Sequence, residues 1–271
     1  MLSEIDQEME RRGLDAIIVE GESTTGNPDL LYVVGSMLPR GGVYVKKLGE
    51  EPALVVSIID VGNAAKGRVK HIQTYSDYSY EALQLEDPQT ASIRLHDHIL
   101  KRLGVKGAIG LYGRLAAPNV IHLTEGLKAL GYDVKGEGSP TLLDTLRETK
   151  SREEVEHIRD VGVKTVRVVK KTLKFLKGCG VKGEALFSDG RVLKVGRVKR
   201  VISTLLAEEQ LMPIGDTIFA VGMGSADPHY LGEDDDVVLA NQPIVFDIFP
   251  QDRDGYSFDC TRTFVMGRAS R

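Results

Sequence analysis

Two cysteines, no tryptophan and no apolar run approaching twenty residues are what this 271-residue chain has least of, and each scarcity excludes a class of protein. Cys179 and Cys260 lie far apart in the chain. They make neither a disulfide framework nor a CxxC-type zinc site, and they fit a reducing cytoplasm. The longest apolar stretches, such as Ala53–Ile59 and Leu30–Gly35, fall far short of the ~20 residues that span a bilayer. Met1–Glu10 contains four acids and no Lys or Arg, so it lacks the positive start of a secretory signal. Charge of one sign is scarce as well. Thirty-five Lys and Arg against 39 Asp and Glu leave a net charge of -4, which gives no overall field for nucleic acid or an anionic membrane. What remains, 42% hydrophobic and 27% charged residues, is the composition of an ordinary globular protein and excludes disordered, collagenous and coiled-coil chains.

At roughly 150 residues per domain the length predicts two domains. Leu2, Ile5 and Met9 fall at helical spacing before a turn at Gly13, and Leu14–Val19 reads as a strand. Asn27-Pro-Asp predicts a turn followed by a strand over Leu30–Val34. Val43 and Val45, then Leu54–Ile58, read as further strands. Helices are predicted around Ile93–Leu103 and Val120–Leu130, with a strand at Ala108–Leu111 between them, the alternation of an α/β layer. A second domain starts near Leu146–Glu154, where Ser151 and Glu154 have capping-box spacing. Val155, Ile158, Gly162, Val166, Val169, Leu173 and Leu176 then trace one stripe of a long amphipathic helix. Val192, Val195, Ile202 and Leu206 fit a second helix, and Thr217–Val221, Ile244–Ile248 and Tyr256–Val265 read as strands. The basic excess between Lys164 and Arg200 reads as a solvated helical face, and Glu233–Asp236 as a solvated turn.

The chemistry-bearing stretch runs from Ile244 to Phe264. It places Asp247 within one apolar strand and Asp259 within the next, across a turn at Pro250–Gly255. An ionised carboxylate in a strand is costly unless it is paired or coordinates a cation. Hard oxygen donors on strands ~5 Å apart can serve one dinuclear centre. The plainer reading is that each Asp caps a turn or pairs with Arg253 or Arg262, and the pattern alone leaves both open. Asp252 and Asp254 read as turn residues.

Asp247, Gly255-Tyr256 and Asp259-x-Thr261-Arg262-Thr263-Phe264 resemble the metal-binding hairpin of the pita-bread metallopeptidases, the Xaa-Pro peptidase, prolidase, aminopeptidase P and creatinase type. Gly222-Met-Gly-Ser-Ala-Asp-Pro-His229 is similar to that family's Gly-rich loop ending in Pro-His. Arg147–Glu154 is similar to the start of its catalytic domain. Gly13–Ile18 and Asn27–Gly35 resemble the creatinase-type N-terminal domain. The resemblance implies an α/β creatinase-like domain over residues 1–140 and an α+β pita-bread catalytic domain over 147–271, the latter about half present. It implies that Asp247 binds one of two divalent metal ions (manganese, cobalt, iron or zinc), that Asp259 bridges both, and that His229 is catalytic, contacting the substrate at the reacting centre. It further implies a cytoplasmic homodimer that hydrolyses peptides with proline in the second position and has no nucleic-acid or membrane partner.

The match departs from the family in two places. Asp247 and Asp259 are one residue further apart than usual, which a longer hairpin turn absorbs if both side chains stay on one face. The family's set also needs a His and two Glu further on, one of the Glu acting as general base, and nothing after Asp259 is His, Glu or Asp. The resemblance therefore reads the chain as part of a peptidase of about 370 residues, inactive as it stands. A non-catalytic, peptidase-like binding protein is the alternative, and assembly of the site from two chains is a third.

Overall fold

The computed structural model describes residues 1–269, which divide into two units, one of Met1–Ser151 and one starting at Arg152.

In the first unit, helix α1 (Ile5–Arg12) ends at Gly13 in the left-handed conformation and leads into strand β1 (Ala16–Gly21). The segment predicted as a strand over Leu30–Val34 is instead helix α2 (Pro28–Val34). Its end signals outweigh the β-branched pair at its close. Asn27 accepts the Leu30 N–H at 3.1 Å, Pro28 stands at the first helical position, and Gly35 closes the last turn at positive φ. Strands β2 (Gly42–Lys47), β3 (Ala53–Val56) and β4 (His71–Thr74) follow, with a one-turn helix α3 (Val61–Ala64) before β4. Next come α4 (Tyr80–Glu86), α5 (Ala91–Arg102), β5 (Ala108–Arg114), α6 (Ala117–Ala129), β6 (Asp133–Lys135) and α7 (Leu142–Glu148).

The six strands form one sheet in the order β4-β3-β2-β1-β5-β6, in which β2 alone runs against the rest. Alternation along β1 sends Ile17 and Val19 to one core, with Met9, Leu30, Val33 and Leu142 from α1, α2 and α7. Ala16 and Ile18 face a second core with Ile93, Ile99, Leu123 and Leu127 from α5 and α6. Helices therefore cover both faces of the sheet.

The second unit opens with helix α8 (Arg152–Lys177). Its buried stripe is Val161, Thr165, Val168, Val169, Thr172 and Leu176, whereas Val155, which the periodicity included, is 40% exposed. A three-stranded sheet of β7 (Gly180–Lys182), β8 (Ala185–Ser188) and β9 (Arg191–Val192) separates it from α9 (Val195–Glu208), so Val192 belongs to a strand and not to the second helix. Arg167 and Lys171 of α8 ion-pair with Glu209, the residue that caps the C-terminus of α9.

After β10 (Met212–Pro213), strands β11 (Ile218–Val221), β12 (Pro243–Ile248) and β14 (Cys260–Val265) form the sheet β11-β12-β14, and β13 (Pro250–Gln251) pairs with β10. Phe219, Ile244, Phe246, Ile248 and Cys260 pack with Val161, Val168, Val198, Ile202 and Leu206 of the two helices. Burying these ten side chains contributes on the order of 20 kcal/mol before chain entropy is counted. The residues between, Val245 and Asp247, face away from that core.

The strand predicted over Tyr256–Val265 begins only at Cys260. Asp252 is responsible for the delay. Its Oδ1 accepts the N–H groups of Asp254 at 3.0 Å and Tyr256 at 2.9 Å, which curls the chain through the turn.

Candidate metal centre

Strands β12 and β14 pair antiparallel, with Asp247 opposite Thr261 and Phe246 opposite Arg262. Opposed residues in such a ladder project to the same side, and residues two apart along a strand do likewise. Asp247, Thr261 and Thr263 therefore share the face turned away from α8 and α9. Asp259 stands two residues before Thr261 and immediately ahead of β14, at the same parity. The ladder pairs Pro243–Ile248 with Cys260–Val265 residue for residue, so the turn's length does not disturb its register.

Asp247 is half-buried and Asp259 exposed, so the strand carboxylates sit on an open face and not in an apolar interior. Thr261 Oγ1 donates to Asp247 Oδ1 at 2.7 Å, which fixes the rotation of that carboxylate. Partial desolvation comes first, followed by the charge of Asp247 and a hydrogen bond shared with it, and together they push the Asp259 carboxyl above its ordinary value. The two carboxylates thus adjoin and repel. A divalent cation between them removes that repulsion, and two hard oxygen donors suit it. Neither carboxylate is ion-paired with Arg253 or Arg262; Arg262 Nη1 donates to the Thr261 carbonyl at 2.7 Å.

His229 follows a short 3-10 turn at Gly222–Ala226 and is exposed. Its N–H donates to Asp227 Oδ1 at 3.0 Å, and its ring makes no hydrogen bond among the described residues. The structure thus brings Asp247 and Asp259 together, with His229 on a separate loop.

A second cluster has no counterpart in the sequence reading. His157 of α8 meets Asp252 and Asp254, their ligand-type atoms within 4.8 Å of one another. Its ring stacks on Tyr256 with centroids 4.7 Å apart. Burial first, and then the charge of Asp254, hold the Asp252 carboxyl above its ordinary value against the lowering effect of the backbone N–H groups of the turn. Asp252 is committed to the backbone of the turn, as its sequence position suggests. His157 lies almost a hundred residues upstream, and no local pattern marks it as a neighbour of this turn.

Residues 156–271 match metallopeptidase family M24. This unit belongs to family M24. The M24 unit and the sheet domain before it are together similar to solved structures across nearly the whole chain. The prolidase from Pyrococcus horikoshii OT3 has 19% identity and a TM-score of 0.69, over 99% of this chain and 65% of that one. The Xaa-Pro dipeptidase from Bacillus anthracis has 16% identity and a TM-score of 0.72, over 99% and 66%. The X-Pro aminopeptidase from Thermotoga maritima MSB8 has 17% identity and a TM-score of 0.69, over 100% and 66%. At these identities the likeness is one of fold. The chain spans about two thirds of the length of these structures, and with it only part of their catalytic domain. No curated protein sequence matches the chain. Among the described residues no helix is long and apolar enough to cross a membrane.

Proposed function

We propose that this chain is part of a dinuclear-metal peptidase acting on peptides with proline in the second position. In this reading Asp247 binds one metal ion, Asp259 bridges two, and His229 contacts the substrate beside the reacting carbonyl. The supporting observation is the carboxylate pair itself. Two adjoining acids held on one open sheet face, at a cost in mutual repulsion, are what a divalent cation needs and what a purely structural hairpin lacks reason to keep.

When bound, manganese, cobalt, iron or zinc supplies Lewis-acid polarisation and an acidified water. The chain's own residues set the stage for that chemistry. Thr261 holds Asp247 by its Oδ1, which leaves Oδ2 for a cation. The core behind Phe246 keeps β12 and β14 in register, and the exposed His229 ring is free to hydrogen-bond a substrate oxygen. A His and two Glu complete the ligand set that the family resemblance implies, and the 271 residues supply two of the five donors. They are therefore expected to bind a cation without turning over peptide. A cytoplasmic homodimer goes with this reading.

Calorimetric titration of the purified chain with manganese tests it. Saturable binding that weakens at least tenfold in Asp247→Asn is the expected result, since one charged donor is lost. Binding that is absent, or equal in wild type and variant, refutes the assignment and favours a non-catalytic binding protein.

A further inference from the structure

The first unit holds an open, shallow cleft of about 320 Å³ with a mixed lining of Glu20, Gly21, Glu22, Arg40, Tyr75 and Leu115, together with Pro39. Its position follows from topology. Strands β1, β3, β4, β5 and β6 run in one direction, so their carboxyl ends share an edge of the sheet. From β1 the chain winds outward through β2, β3 and β4, then returns to the other side of β1 as β5. The gap between the ends of β1 and β5 is where the winding reverses, the place where open α/β sheets bind small ligands. Glu20 and Gly21 close β1, Leu115 follows β5, and Tyr75 follows β4. The wall beside them admits no side chain: at Gly41, φ is +59° and a Cβ would lie 1.7 Å from the Gly21 carbonyl oxygen.

One lining residue, Glu20, pairs with a buried histidine that the metal centre does not use. His96 of α5 is 1% exposed; its Nε2 lies 2.9 Å from Glu20 Oε2 and its Nδ1 2.8 Å from the Ser92 carbonyl oxygen. A carbonyl can only accept, so Nδ1 carries a proton, and an ionised Glu20 requires one on Nε2 as well. Burial alone would make this imidazolium costly. The charge and hydrogen bond of Glu20 outweigh the burial and, with the Ser92 carbonyl, raise the proton affinity of the ring. One oxygen of Glu20 is thereby fixed by His96, and the partly exposed side chain lines the opening. Tyr75 lies against the same group: burial first, then the charge of Glu20, pushes its phenol up, so it stays a neutral donor.

The same lining includes an unmatched cation. The Arg40 N–H donates to Asp60 Oδ2 at 3.2 Å, while its guanidinium makes no ion pair or hydrogen bond among the described residues. Glu22 is likewise exposed, and its side chain makes no ion pair or hydrogen bond among the described residues. The lining thus offers the His96-held Glu20 and the uncompensated charge of Glu22, a free planar cation suited to a carboxylate, and the apolar surfaces of Tyr75 and Leu115. We propose that this cleft binds a small zwitterion, an α-amino acid, with its ammonium on Glu20 and Glu22, its carboxylate on Arg40 and its side chain against Tyr75 and Leu115. All of these residues belong to the first unit, and none is part of the carboxylate pair of the M24 unit.

Calorimetry of the 271-residue chain in EDTA, with L-proline, L-leucine and glycine as probes, reads this directly. Saturable binding of at least one of the three is expected. N-acetyl-L-proline, which has no ammonium, and pyrrolidine, which has no carboxylate, should each bind at least tenfold more weakly, as loss of a charge-assisted contact requires. Arg40→Gln and Glu22→Gln alter exposed side chains and leave the fold intact. Each should weaken amino-acid binding at least tenfold with the melting temperature of the free protein unchanged. Asp247→Asn should bind the amino acid as wild type does. No saturable binding up to millimolar probe, equal binding of the acetylated analogue, or binding indifferent to both cleft substitutions overturns the proposal.

Discussion

Replacing Asp259 by Asn should stabilise the metal-free protein and destabilise the metal-loaded one, a reversal that a structural aspartate does not produce. The metal-free effect is Coulombic. Two unit charges ~4 Å apart in water-like surroundings repel by about 1 kcal/mol, and salt screening takes part of that, so an exposed pair costs on the order of 0.5–1 kcal/mol. Asn keeps the size and the hydrogen bond to Asp247 while removing the charge. The melting temperature of the M24 unit should then rise by about 2–4 °C. Manganese at a hundred times its dissociation constant adds about 2.7 kcal/mol to the wild type, and far less to a variant that has lost the bridging carboxylate. Thermal melts of both proteins, with EDTA and with manganese, give the four numbers needed. The pH dependence follows with a fixed sign. Because the folded-state carboxyl is shifted upward, its cost is present above that value and fades as acid protonates it, so the gain in EDTA should vanish at low pH. A variant that is no more stable in EDTA, or that gains as much from manganese as wild type, refutes the pairing of these acids at a cation.

Three further outcomes test the frame around the two sites. Phe246→Ala empties a fully buried position next to Phe219, with ring centroids 5.8 Å apart; it should cost about 3–5 kcal/mol in urea unfolding of the second unit and weaken manganese binding through loss of strand register. Asn27→Ala removes the cap of α2 and should cost the first unit about 1 kcal/mol by the same measurement. His96 titrates with a raised folded-state value, so its contribution is complete below the ordinary histidine value of 6.5 and is lost as pH rises through the raised one; the urea midpoint of the first unit should fall over that window in wild type and stay flat in His96→Gln.

How much of this could be read in the sequence varied with the range of the interaction. Periodicity located α1, α5, α6 and strands β1, β2, β3 and β5, because those signals are local and each element buries one face, whereas the short edge strands β4 and β6 carried no such signal. Leu30–Val34 misled because a β-branched, apolar run looks alike in a strand and in a short buried helix, and the decision lay in Asn27, Pro28 and Gly35 around it. The first turn of α8 carries Val155 outward because the stripe is decided by where β12 and the second helix lie. Asp247 and Asp259 stood out from their strand context and family-like spacing, but their shared face comes from the ladder between Asp247 and Thr261. His96 and Glu20, and His157 with Asp252, were not legible. Each pair is separated by many tens of residues, and a lone histidine on a helix gives no sign of the carboxylate that folding sets against it.

The extra residue between Asp247 and Asp259 carries a lesson for recognising such hairpins. Because pairing from Pro243 to Ile248 pins the two strands, length can enter or leave the turn without re-aiming either acid. A search that demands a fixed interval between the acids will pass over chains like this one. The invariant is odd-even placement relative to the apolar residues beside them: Phe246 inward, Asp247 outward, Cys260 inward, Asp259 outward. Evolution can thus tune the loop that overhangs such a pair, and whatever it touches, independently of the pair itself.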